Sequence, residues 1–132
     1  ARIVGETEIS AEDYLDGKNY PDSVCYAFYP IDLHVITGIE QRFLKEDTVG
    51  KVPYRALLPK NSKHIICAGR CISSDKYANS AVRVEAVCMA TGQAAGCAAA
   101  ISAKQDICVK DVNYGTLCES LAKIGAIVPE RQ

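Results

Sequence analysis

The stretch HIICAGRCISSDKYANSAVRVEAVCMATGQAAGCAAAISAKQ, residues 64–105, joins two different hydrophobic patterns. Residues 64–68 are a brief continuous apolar run bounded by turn signals, the pattern of a fully buried parallel strand. Gly69 ends that strand, residues 70–81 read as a polar loop, and a helix is predicted over residues 83–104. Its residues Ala90, Gly92, Ala94, Ala95, Gly96, Ala98, Ala99 and Ala100 have almost no side-chain bulk. Gly92 and Gly96 share one face, and each costs about 1 kcal/mol against Ala inside a helix. Either they serve close packing alone, or they let a sheet or a phosphate-binding helix of the same domain approach the backbone.

The start of this helix is its more informative end. Free amides and the positive pole of the dipole near Arg83, Val84 and Glu85 favour negative charge on a ligand. A long loop delivers the chain there directly from a buried strand, and ligands of open α/β sheets sit at such strand ends.

Outward from this stretch, the remaining elements are short. Ser10 reads as an N-cap, with Glu12 and Asp13 favourable to the dipole of a short helix over residues 11–16 that Gly17 ends. Residues 23–29, SVCYAFY, are rich in aromatic and β-branched residues and read as a strand stopped by Pro30. Residues 31–35 alternate apolar and polar, which puts Asp32 and His34 on one face of a half-buried strand. Residues 37–50 read as a loop or hairpin and 51–58 as an extended segment, with Pro53 holding Val52 out of the α region. After an extended connection at 106–112, Leu117, Leu121 and Ile124 recur at helical spacing over residues 114–124, and Gly125 closes that helix before a tail at 126–132.

Composition bounds what this chain does. It has 132 residues, 48% apolar and 23% charged, with a net charge of −1. One domain with a real core is expected. No basic cluster offers a footprint for nucleic acid. Nothing at the N-terminus has the form of a secretory signal. Residues 86–103 are interrupted by Thr91, Gln93 and Ser102, so a soluble chain is expected, with no membrane partner. The seven cysteines are odd in number and spread through apolar runs. That distribution fits reduced, mostly buried thiols in the cytoplasm better than a disulfide scaffold.

Four linked segments then converge on a family. They are Val52-Pro53-Tyr54-Arg55-Ala56-Leu57-Leu58-Pro59-Lys60, Ile65-Ile66-Cys67-Ala68-Gly69-Arg70-Cys71-Ile72-Ser73, Ala81-Val82-Arg83-Val84-Glu85 and Gly92-Gln93-Ala94-Ala95-Gly96. Together they resemble the C-terminal part of the FAD-dependent oxidoreductases, a bacterial group with a glutathione-reductase-like flavin domain. Tyr29-Pro30-Ile31-Asp32-Leu33-His34 is similar to that family's substrate-side strands, so the resemblance covers nearly the whole chain. It implies that residues 65–69 are the last strand of the FAD-binding domain. The Gly69-Arg70 turn would pass the ribityl and phosphate region. The helix beginning Arg83-Val84-Glu85 would point its amides at the flavin pyrimidine ring, where a positive helix end stabilises negative charge at N1 and C2=O. More distant flavoproteins often carry Gly-Asp at this turn. Gly69-Arg70 removes that carboxylate and leaves Arg70 for a phosphate or carboxylate.

These 132 residues hold no G-x-G-x-x-G turn for a pyrophosphate, since Gly92 and Gly96 have the wrong spacing and lie inside a helix. We therefore expect a fragment of a larger Rossmann-like flavoprotein, of α/β class (α+β as an isolated piece). Residues 1–62 would supply substrate-side strands and loops. Residues 63–132 would supply the final strand, the long helix and the C-terminal helix of the FAD-binding domain. The expected reaction is hydride transfer through N5 of FAD on a small, acidic organic molecule. The isolated chain should be inactive without the N-terminal part of the parent flavoprotein as partner. The alternative is a stand-alone cysteine-based redox or interaction module.

Gly69, Arg70, Arg83, Val84 and Glu85 are the expected cofactor-binding residues. Arg83 sits unfavourably with the dipole at a helix start, which points to an anionic partner or to a salt bridge with Glu85 or Asp75. Arg55, with Tyr54, either lines a substrate cleft or makes a surface ion pair. His34 is the candidate proton donor, with Asp32 placed to orient it; a strand histidine satisfied by a neighbour is the alternative. His64, Cys67, Cys71 and Cys88 do not have a tetrahedral zinc arrangement, so no metal is expected. Cys67 and Cys71 are spaced C-x3-C, unlike the C-x-x-C of thiol oxidoreductases.

Overall fold

The computed structural model describes residues 1–130; Arg131 and Gln132, the end of the expected tail, lie outside them. Helix α1, Ala11–Leu15, starts at Ser10, whose Oγ accepts from the Asp13 amide at 3.1 Å. Strand β1, Ser23–Ala27, pairs antiparallel with β4, Gly50–Pro53. Gly50 is required at that pairing, because a Cβ there would press on the Tyr14 ring and lie 2.8 Å from the Ala27 carbonyl oxygen. Strands β2, Ile31–Val35, and β3, Gly38–Arg42, form the hairpin expected of residues 37–50. Ile31 and Leu33 are buried on the face of β2 that meets the core, and β3 is exposed throughout.

Two antiparallel strand pairs with four helices give an α/β architecture, as the sequence indicates. The C-terminal half is built on α3, Glu85–Gln105, and α4, Tyr114–Lys123, which pack together. The buried face of α3 carries Val87, Thr91, Ala94, Ala98 and Ser102, and β1 also lies against it. Leu117 and Leu121 of α4 are fully buried, and Asn113 caps that helix at the Thr116 amide, 3.1 Å away. Ile9, Tyr14, Val52, Leu57, Ile72, Val82 and Leu117 belong to one core cluster drawn from the whole chain.

Three tyrosine hydroxyls tie distant segments together. Tyr14 donates to the Tyr29 carbonyl at 2.7 Å, Tyr54 to Val109 at 2.6 Å, and Tyr114 to Ser23 at 2.6 Å. Each phenol keeps its ring in the interior while its polar end meets a backbone acceptor.

The structure corrects several expectations around residues 64–84. Residues 64–68 are not a buried strand: they are irregular, and Ile65 is 56% exposed. No described strand lies beside them, and the Cys67 amide makes a single bond to the Leu57 carbonyl at 2.8 Å. An apolar run needs ladder neighbours to become a strand. Residues 70–81 are not all loop, because Lys76–Val82 forms helix α2. Asp75 caps it, with Oδ1 accepting from the Ala78 amide at 2.7 Å, while its Oδ2 accepts from the Ala11 amide at 2.6 Å.

The long helix accordingly begins at Glu85. Arg83 is the C-cap of α2, and Val84 is extended, with ψ 153°, before the chain coils again. Residues 51–58 are extended only to Pro53; Tyr54–Leu57 is a 3-10 turn that buries Tyr54, Ala56 and Leu57.

Two further expectations change. A Cβ at Gly92 or Gly96 would meet nothing within 4 Å, so no described residue approaches that face. Helix α3, with 21 residues and a mean hydropathy of 1.3 in its most apolar window, is long and apolar enough to cross a membrane by length and composition alone. A core helix passes the same test, and α3 presents Glu85, Gln93, Lys104 and Gln105 outward. Of the seven cysteines, Cys25 alone is buried; the other six are partly exposed, and none is in a disulfide.

Candidate functional site

The β2 pleat sets the first side of a polar cleft. Period-two alternation buries Ile31 and Leu33 and turns Asp32 and His34 the other way. Helix α2 packs on β2, and Ser80 joins them: its Oγ accepts from the Asp32 amide at 3.0 Å and donates to the Tyr77 carbonyl at 2.7 Å. The other side is the bend between α2 and α3, where Arg83, Val84 and Glu85 follow one another. Arg70 arrives from the 3-10 turn Gly69–Cys71.

These residues, with Tyr29, line a cleft of about 400 Å³. Five of the residues expected from sequence, His34, Arg70, Arg83, Val84 and Glu85, therefore meet in one place, together with Asp32. Tyr29 and Ser80 complete the lining. The sequence signal for Ser80 was the capped helix that begins after Asp75, and Tyr29 had none beyond its place before Pro30.

The turn behind the cleft is held from several sides. Gly69 takes φ +77°, a left-handed conformation that glycine adopts without a Cβ penalty, and its amide donates to Thr91 Oγ1 at 3.0 Å. Thr91 Oγ1 in turn donates to the Val87 carbonyl at 2.8 Å, so the turn is fastened to the first half of α3. Asn79 Nδ2 donates to the Arg70 carbonyl at 3.3 Å and to Ser74 Oγ at 3.2 Å. Gly69 thus supports the cleft from outside its lining.

Two features of the cleft call for a ligand. Asp32 Oδ1 is buried and has no hydrogen-bond partner among the described residues. A buried acceptor left so costs about 1–3 kcal/mol. Helices α1, α2 and α4 each have a side-chain cap, from Ser10, Asp75 and Asn113, whereas α3 starts at Val84 with none. The free amides of the longest helix open beside Arg70 and Arg83, which is a setting for an anion or an electron-rich ring edge.

Arg55 lies elsewhere. Its Nε and Nη2 bind Asp22 Oδ2 and Oδ1 at 3.0 and 3.2 Å, and its amide binds Asp22 Oδ2 at 2.9 Å. The hydrogen bond to Asp22 raises the Arg55 pKa further, so its charge is held in that pair. The structure does not bring Arg55 to His34. Among the described residues no three His, Cys, Asp or Glu side chains gather as a metal set.

The polar edge of an FAD molecule matches the cleft chemically. Two guanidiniums suit its anionic oxygens, and the lone Asp32 acceptor suits an imide N–H or a ribityl hydroxyl. No curated protein and no solved structure matches the chain. A family model described as FAD dependent oxidoreductase matches residues 1–121.

Proposed function

The chain belongs to the FAD-dependent oxidoreductase family, and on that premise we propose that the polar cleft is its flavin and substrate site. FAD is the family's cofactor, and when bound it supplies hydride chemistry at its isoalloxazine ring. The observation that carries the proposal is the uncapped start of α3 opening on a cleft that holds a partnerless Asp32 Oδ1.

In this reading the α3 amides and Arg83 attract the electron-rich edge of the ring. Arg70 binds a phosphate or a substrate carboxylate, as a guanidinium does with planar anions. Asp32 Oδ1 accepts from a donor on the ligand. His34, exposed on the same strand face, gives or takes a substrate proton through its imidazole. The substrate is a small organic acid. We propose further that the pyrophosphate is held by a G-x-G-x-x-G unit in another part of a larger, glutathione-reductase-like protein, and that this protein works in the cytoplasm without nucleic acid or membrane as partner.

Titration of FAD into the chain, followed by visible absorbance and fluorescence quenching, tests the site. Saturable binding is expected, and Arg83→Ala should weaken it about tenfold, near 1.4 kcal/mol. Arg55→Ala should leave it unchanged. Equal affinity in wild-type and in Arg70→Ala and Arg83→Ala proteins would place the flavin elsewhere. If the chain binds nothing while a longer parent chain binds FAD, the pyrophosphate unit is indispensable; if neither binds, the reading fails.

A further inference from the structure

The cleft reading leaves one cluster of reactive side chains unused, at the back of the Gly69 turn. Cys67 and Cys71 stand on either side of Gly69 and Arg70, and both are partly exposed free thiols. The left-handed turn at Gly69, φ +77°, folds the chain back so that the two side chains hydrogen-bond to each other. Each end of the turn is anchored independently: the Cys67 amide donates to the Leu57 carbonyl at 2.8 Å, and the Cys71 carbonyl accepts from the Ile3 amide at 2.8 Å. The Cys71 thiol also donates to the Ala68 carbonyl at 3.4 Å, which fixes its direction back over the turn.

We propose that Cys67 and Cys71 are a reversible dithiol–disulfide pair that closes by exchange with a low-molecular-weight disulfide. One protein thiolate attacks a sulfur of the small disulfide, forms a mixed disulfide and releases one small thiol. The second protein thiolate then attacks the protein-bound sulfur, closes the Cys67–Cys71 bond and releases the second small thiol. The protein loses two electrons and two protons, and the small disulfide gains both.

Burial, and after it the neighbouring Cys71, raises the pKa of Cys67, so exchange through its thiolate speeds up as the medium becomes alkaline. Closure ties the two ends of the segment that carries Arg70. The bridge would therefore restrict the one cleft residue that stands on a turn and not on a strand or at a helix end. This pair needs no flavin and stands whether or not the cleft binds one.

The test is equilibration of the chain in oxidised and reduced glutathione buffers, followed by alkylation and peptide mapping. The expected result is a species with two fewer alkylatable thiols, a Cys67–Cys71 linked peptide and full return to the reduced form with excess thiol. Cys118→Ser should behave as wild type, and Cys71→Ser should stop at the mixed disulfide. Mapping on the wild-type chain decides the matter even if a variant folds poorly. Retention of all seven thiols in a strongly oxidising buffer, or a bridge between any other pair, overturns the proposal.

Discussion

Asp32 and Asp22 show how differently two carboxylates are used. Asp22 meets the Arg55 guanidinium and amide, so both its oxygens are satisfied. Asp32 leaves Oδ1 buried and alone. Replacing Asp32 by Asn should therefore raise unfolding stability by about 1 kcal/mol in urea, because a neutral amide is less costly to bury than a carboxylate, while ligand binding in the cleft falls. A loss of stability would mean that Oδ1 has a partner in the folded chain. Arg55→Ala should cost no more than about 1 kcal/mol, as its side chain is half exposed. At this scale the sequence was informative about type and face: alternation put Asp32 and His34 together. It was silent on which arginine was already paired, because Asp22 lies 33 residues from Arg55 in the chain.

Among the elements, caps explain what was legible and what was not. Ser10 and Gly17 bracket α1, and Asn113 and Gly125 bracket α4, so both short helices could be read from local chemistry. Asp75 is as good a signal, but it follows two serines and was absorbed into a loop. Its carboxylate starts α2 and also binds the first residue of α1. Asp75→Ala should thus cost about 2–3 kcal/mol, the sum of a cap and a second charge-assisted bond, read as a lower urea midpoint. A cost under about 1 kcal/mol would show that the Ala11 contact contributes nothing. The strand expected at residues 64–68 failed for the opposite reason: an apolar run states that burial is wanted, and only a neighbouring strand can provide it. The glycine face of α3 yields a contrast. Gly92→Ala should stabilise the chain by about 1 kcal/mol, since a Cβ there meets nothing and Ala is the better helix former. Destabilisation would show that a second copy or another segment covers that face in solution.

For the whole molecule, class and family were legible because they depend on linked motifs spread over most of the chain. The cleft was half legible, since its residues were named while the α2 helix that brings them together was not. Global stability should respond to alkali in a specific window. Burial pushes the Cys25 thiol from 9.0 up to about 12 and the Tyr54 phenol from 10.0 up to about 12. Burial raises Tyr14 and Tyr20 as well. Each of these groups is neutral when protonated, and the fold favours that form. Their contribution is complete below pH 9 and is lost as the pH climbs to about 12. Because the chain has no Trp, far-UV circular dichroism is the suitable probe of that decline. Cys25→Ala should delay its onset towards pH 10, where Tyr54 still titrates. A flat profile up to pH 12 would mean that these groups are already wet.

The three phenolic ties have a kinetic meaning. They close segments separated by 15, 55 and 91 residues. A chain emerging from the ribosome completes the first early, but Ser23 waits for Tyr114 until nearly all of the sequence has been made. Contacts of that separation slow the search for the native state. Late closure leaves β1 and its apolar neighbours uncovered during synthesis, and that interval is when the nascent chain is most open to aggregation and to chaperone binding.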